Sequence, residues 1–265
     1  MNTAIELCIV GASGTMGEAF TKRAQDVGLE GVYRLTRNDG NYSEAIQLGS
    51  VFLLCMKQRE VLAWLSQYGQ QLATENIVIS LAALLGVGLL ERVMANEDVR
   101  ICRIMTTTGI AFGSETIAWT DDGKLTDEQM AWTGSKLSRL GNVEYLGARN
   151  DEGIDQYTFR ACVPGWIADV CNTQLESLEE VFGFSNNDAQ DAVDRALDVI
   201  VEQRKNALGY GEIRDKVMSK GGITEAGVSA RAHDLDAALR TGSLAARDRA
   251  SSLVKNLLQD LDLKI

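Results

Sequence analysis

Residues 9–20 read IVGASGTMGEAF, and the reading of this stretch decides the fold. An apolar run ends at Val10, Gly11, Gly14 and Gly17 follow at three-residue spacing, and a helical pattern begins within the same turn. The spacing is G-x-x-G-x-x-G, one residue longer between the first two glycines than the common dinucleotide fingerprint. The physical logic is unchanged. Glycine tolerates the torsions of a sharp turn, missing side chains let a pyrophosphate approach the backbone, and a helix start offers unpaired N–H groups and a favourable dipole. Gly11, Ser13, Gly14, Thr15, Met16 and Gly17 are therefore the candidate phosphate-binding residues. A tight turn without a nucleotide is the alternative reading of the same residues.

Outward from this turn, apolar runs alternate with helical patterns: AIELCIV (4–10), VYRLT (32–36), SVFLLCM (50–56), NIVISLA (76–82) and VRICRIM (99–105). Such alternation predicts βαβ units around a parallel sheet. ETIAWT (115–120) and NVEYLG (142–147) extend it, separated by a helix whose N-cap is Thr126. Residues 1–150 are thus expected to form a Rossmann-type, doubly wound α/β domain. Beyond Asp151 strand signals cease. In 185–209 Ala189, Ala192, Val193, Ala196, Leu197 and Ile200 fall on one helical face after a Ser185 cap, so residues 151–265 are expected to be all helical. Pro164, the single proline, lies inside the first of these helices, where it is expected to kink or break it.

The second strand bears on the choice of cofactor. An acid about twenty residues after the glycine turn would hold the ribose diol of NAD. Here Thr36, Arg37 and Asn38 occupy that place, with Asp39 next. A cation beside a hydroxyl and an amide suits a 2′-phosphate, so NADPH is the expected cofactor; an ordinary solvated charge is the other reading of Arg37.

Composition excludes several classes. With 37 acidic against 26 basic residues and a formal charge of -11, the chain is unsuited to nucleic acid or anionic membranes. No secretory signal or membrane-length apolar run is seen, and a cytoplasmic protein is expected. The five cysteines are widely spaced without a C-x-x-C pair, and His233 is the one histidine, so no disulfide framework or metal site is signalled. His233 reads as a structural or surface residue.

A second glycine turn occurs in IRDKVMSKGGIT (213–224). Apolar periodicity stops at Ser219, Gly221 and Gly222 turn the chain, and a helix restarts at Thr224. Backbone N–H groups with the Ser219 and Thr224 hydroxyls could cradle a carboxylate; a plain helix-turn-helix connection fits as well.

These segments together resemble the pyrroline-5-carboxylate reductase family over nearly the whole chain. Its L-R-D-x-V-x-S-P-G-G-T-T stretch is matched by IRDKVMSKGGIT, with Lys220 replacing proline and Ile223 the first threonine. GTMGEAF (14–20), TRN (36–38) and MKQ (56–58, V-K-P in the family) match too. The resemblance implies a dinucleotide domain joined to a helical dimerisation domain, hence a homodimer or higher homo-oligomer, and NADPH-dependent reduction of a small cyclic imine. It puts Met56 and Lys57 beside the cofactor. It assigns Ser219, Gly221, Gly222 and Thr224 to the substrate carboxylate, Thr224 being the candidate catalytic residue, with Cys162 in the substrate's neighbourhood. Departures fall on the substrate side: MTTTG (105–109) stands for M-P-N-T-P, and RACVPGW (160–166) for S-G-S-G-P-A-Y.

Chemistry agrees with an imine. A ketone gains negative charge on hydride addition and needs a firm proton donor, whereas an iminium arrives protonated and mainly needs orientation. Lys57 could be such a donor, or a helix-start lysine near the cofactor ribose. A reductase of 2-oxo or 3-hydroxy acids and a non-catalytic NADPH-binding regulator remain the alternatives.

Overall fold

The computed structural model describes residues 7–36 and 42–260. The chain divides into two compact units, one ending at Cys162 and the other beginning at Val163.

The first unit is built on seven strands: β1 Leu7–Val10, β2 Val32–Leu35, β3 Val51–Leu54, β4 Ile77–Ser80, β5 Arg100–Met105, β6 Thr116–Asp121 and β7 Asn142–Tyr145. Their order is β2-β1-β3-β4-β5-β6-β7. The first five are mutually parallel, β6 is antiparallel to β5, and β7 runs parallel to β6. The expected parallel sheet is thus mixed at one side. The link from β5 to β6 carries only a short 3-10 turn, Thr108–Phe112, and a parallel return needs a longer crossover. Connecting helices are α1 Thr15–Asp26, α2 Tyr42–Leu48, α3 Gln58–Tyr68, α4 Val87–Met94 and α5 Asp127–Leu140. Thr126 caps α5 as the sequence suggests: its hydroxyl accepts from Gln129 N–H at 3.2 Å, and the Gln129 side chain accepts from Thr126 N–H at 3.0 Å.

Strand alternation divides the core between two faces. Ile9, Leu53, Ile79 and Ile104 pack with Phe20 and Ala24 of α1 and Leu137 of α5. Phe52, on the opposite face of β3, meets Trp64 of α3 with ring centroids 5.7 Å apart. Helices therefore cover both faces, which makes the sheet doubly wound.

The last segments are α6 Asp151–Phe182, α7 Asn186–Lys205, α8 Tyr210–Val217 and α9 Ile223–Asp260. The opening of α6 belongs to the first unit. Ile154 and Tyr157 pack with Met105 and Ala118, and Arg103 of β5 donates to Asp151 at 2.6 Å and Asp155 at 2.5 Å. Asp151 also accepts from Val87 N–H at 3.1 Å, satisfying an orphan donor at the start of α4. Pro164 does not break α6, which runs unbroken for 32 residues; its missing N–H removes one rung of the helix's hydrogen bonding. Ser185 caps α7 by accepting from Asp188 N–H at 3.2 Å.

Candidate dinucleotide and substrate sites

In an open α/β sheet, ligands sit outside the carboxyl ends of the strands, where strand order reverses. That point lies between β1 and β3, because the chain runs from β1 outward to β2 and then returns to β3. The glycine turn and residues 55–57 meet there. Gly11 N–H and Ala12 N–H both donate to the Leu35 carbonyl, at 2.9 and 3.0 Å, pinning the turn to the end of β2. Gly11 takes φ +80°, and a Cβ on it would stand 2.7 Å from Met56 Cγ and 2.9 Å from the Cys55 carbonyl oxygen. Gly17 is more constrained: a Cβ would lie 2.3 Å from the Gly11 carbonyl oxygen and 2.7 Å from Ala12 Cα. Both glycines are required by close backbone approach.

What this packing leaves open is the start of α1. Its N-cap is Gly14, with no side chain capping the first turn, while Ser13, Gly14 and Thr15 are exposed and Met16 half-buried. The start of α3 has a similar character. Lys57 is its N-cap and exposed, and Glu60 accepts from Lys57 N–H at 3.3 Å; an ammonium cannot itself accept, so it caps nothing. Two helix N-termini and a lysine thus flank the crevice with positive potential. These residues fit the pyrophosphate of a dinucleotide. Burial holds the neighbouring Cys55 thiol well above the usual thiol range, so it is an inert wall.

Along β2, Thr36 is half-buried and its carbonyl accepts from Tyr42 OH at 3.3 Å. Arg37 and Asn38 lie outside the described residues. Two polar groups at this edge escaped the sequence reading. Arg34 of β2 reaches the glycine turn, one guanidinium N–H lying 3.4 Å from the Ala12 carbonyl oxygen. Thr106, at the carboxyl end of β5, is 8% exposed, and its hydroxyl has no hydrogen-bond partner among the described residues. A buried hydroxyl without a partner is costly, and a ligand at this edge could satisfy it. MTTTG was noticeable as a departure from a motif, but nothing in it singles out the first threonine.

Cys162 is half-buried, its thiol donating to the Thr158 carbonyl at 3.4 Å. Ser219, Gly221, Gly222 and Thr224 belong to the second unit. Gly221 takes φ +72°, Gly222 N–H donates to the Ser219 carbonyl at 2.9 Å, and Gly221 N–H donates to the Glu225 carboxylate at 2.6 Å. Both glycine amides are therefore engaged within the turn. What remains for a ligand is the pair of exposed residues Ser219 and Thr224 with the first N–H groups of α9. His233 is exposed on α9, its Nδ1 3.2 Å from Asp234.

No protein-family model matches the chain, and no curated protein sequence does. Solved structures do match. A Plasmodium falciparum pyrroline carboxylate reductase with NADP bound aligns over 97% of this chain and 99% of its own, with TM-score 0.80 and 17% identity. The chain has the pyrroline-5-carboxylate reductase fold. The Streptococcus pyogenes 1-pyrroline-5-carboxylate reductase aligns over 95% of this chain and 100% of its own, with TM-score 0.76 and 18% identity. An imine reductase from a Pseudomonas species shares the fold less closely, over 98% and 96% of the two chains, with TM-score 0.54 and 16% identity.

Proposed function

We propose that the protein is an NADPH-dependent reductase that delivers a hydride to the C=N carbon of a small cyclic imine, 1-pyrroline-5-carboxylate or a related imine acid. The observation that carries this reading is the uncapped start of α1 against Gly11 and Gly17 at the β1/β3 reversal, in a chain whose full-length neighbours reduce C=N bonds by name. Bound NADPH would supply the hydride. The chain's own part would be to hold the pyrophosphate on the amides of residues 13–17, to flank it with Lys57, and to orient the substrate through the Ser219–Thr224 turn. NADPH oxidation measured with cyclic imines, with 2-oxo acids and without substrate tests the assignment. Turnover with imines alone is expected; turnover with oxo acids alone, or none, would point to the oxo-acid reductase or the regulator.

The Thr224 hydroxyl is proposed to donate to the substrate carboxylate. Thr224→Val removes it at nearly constant volume and should weaken carboxylate-bearing substrates by about 1.5 to 3 kcal/mol, as for a hydrogen bond to a charged group. NADPH affinity should not change, and 1-pyrroline, which lacks the carboxylate, should show little further loss. Equal loss for both imines in steady-state kinetics would make the turn a structural connection.

We also propose a homodimer formed through the second unit. Val163, Ile167, Val170, Val181 and Phe182 of α6 and Ile223, Leu235, Leu239 and Leu244 of α9 are exposed large apolar residues. On α7 Ala189 and Val193 are buried but Leu197, on the same face, is 37% exposed. α9 has 38 residues, roughly 57 Å of helix, and draws its stability from packing rather than propensity. A second copy would cover these faces. Light scattering at micromolar concentration is expected to give twice the chain mass; a monomer would end the idea.

A further inference from the structure

We propose that Arg34 reads the 2′-phosphate of the cofactor, a role additional to that expected of residues 36–38; the inference rests on the NADPH reading above. Arg34 pairs in register with Ile9, and Val32, two residues earlier on the same strand face, packs against the core cluster that includes Phe20 and Ala24 of α1. Side chains two apart on a strand share a face. Arg34 therefore rises on the α1 face of β2, beyond Val32 and toward the carboxyl edge. Its guanidinium ends at the glycine turn, 3.4 Å from the Ala12 carbonyl oxygen, a distance at the outer limit for such a bond.

That position is where a dinucleotide laid across the β1/β3 reversal carries its adenosine ribose, because the end of β2 is the segment that reads the 2′ substituent. The Ala12 contact occupies one N–H of a group that carries several in a rigid fork. No carboxylate among the described residues pairs with it. A planar, permanently charged fork that is exposed and anchored at one corner suits bidentate recognition of a phosphate. A neutral ribose hydroxyl would use far less of it.

The test is calorimetric titration of wild type, Arg34→Met and Arg34→Lys with NADPH, NADH and the fragment 2′,5′-ADP, so that binding is read without turnover. Wild type is expected to prefer NADPH. Arg34→Met should weaken NADPH and 2′,5′-ADP by about 10- to 150-fold, the range for hydrogen bonding to a charged group, and NADH by less than about 3-fold, at unchanged thermal stability. Arg34→Lys, which keeps the charge but not the fork, should fall between. Equal weakening of NADPH and NADH would overturn the proposal and make Arg34 a brace for the turn through Ala12, and an unchanged NADPH affinity would overturn it as well. A wild-type protein that does not distinguish the two cofactors would defeat the NADPH reading itself, before any variant is measured.

Discussion

Replacing Gly17 with alanine is expected to weaken dinucleotide binding severely. An alanine inside a helix is ordinarily favoured over glycine by about 1 kcal/mol. Here the added methyl would lie 2.3 Å from the Gly11 carbonyl oxygen and 2.7 Å from Ala12 Cα, and both neighbours are backbone that cannot rotate away. Relief requires α1 to move off β1. Overpacking of this kind costs about 1 to 3 kcal/mol, and the movement displaces the amides of residues 13–17 that are to meet the pyrophosphate. NADPH affinity should fall at least about 100-fold, since positioning errors near 1 Å have effects of that order. Gly134→Ala in α5 is the control. A Cβ there meets nothing within 4 Å, so the variant should keep its cofactor affinity and gain about 0.5 to 1 kcal/mol. Urea denaturation and NADPH titration of both variants check the pair; a Gly17→Ala protein that binds NADPH within about threefold of wild type would remove the turn from the site.

Arg103→Met should be the most destabilising single change in the first unit outside the hydrophobic core. Arg103 is 1% exposed and is held between Asp151 and Asp155, whose side chains are 38% and 32% exposed. Removing one partner of a buried pair costs about 3 to 5 kcal/mol when the remaining charge is fully buried. These carboxylates keep part of their hydration, so about 2 to 3 kcal/mol is expected. The loss reaches two elements, because Asp151 also accepts from Val87 N–H at the start of α4. Adding Asp155→Leu should restore part of the stability, since one unpaired carboxylate is then gone, and the non-additivity measures the coupling. A loss below about 0.5 kcal/mol for Arg103→Met on urea denaturation would show that the contacts of Ile154 and Tyr157 alone hold the start of α6.

Much of this architecture is legible in the sequence because the period of the apolar residues is itself the physical cause of the elements. Each of the seven strand-like runs contains a strand, and Thr126 and Ser185 cap the helices their spacing suggests. The direction of β6 was not legible, since an alternating apolar run fits either direction and the connection before it decides. Of the kink or break that Pro164 suggests, the break does not occur, since a proline costs local hydrogen bonding whereas the continuity of a helix depends on everything packed along it. In RICRIM, Arg103 gives no sign of partners that lie 48 and 52 residues further on. Arg34 escaped for a related reason. In VYRLT nothing sets it apart from the other strand residues, and only the fold of the turn brings its guanidinium to the Ala12 carbonyl.

Hydride transfer to a C=N carbon is tested by following the hydride itself. NADPH carrying deuterium at the transferable position is incubated with the protein and 1-pyrroline-5-carboxylate, and the product is analysed by mass spectrometry and NMR. Proline with one deuterium on the former imine carbon is expected, formed in step with NADPH consumed. NADPH that binds and yet transfers no label to this or any other cyclic imine would contradict it.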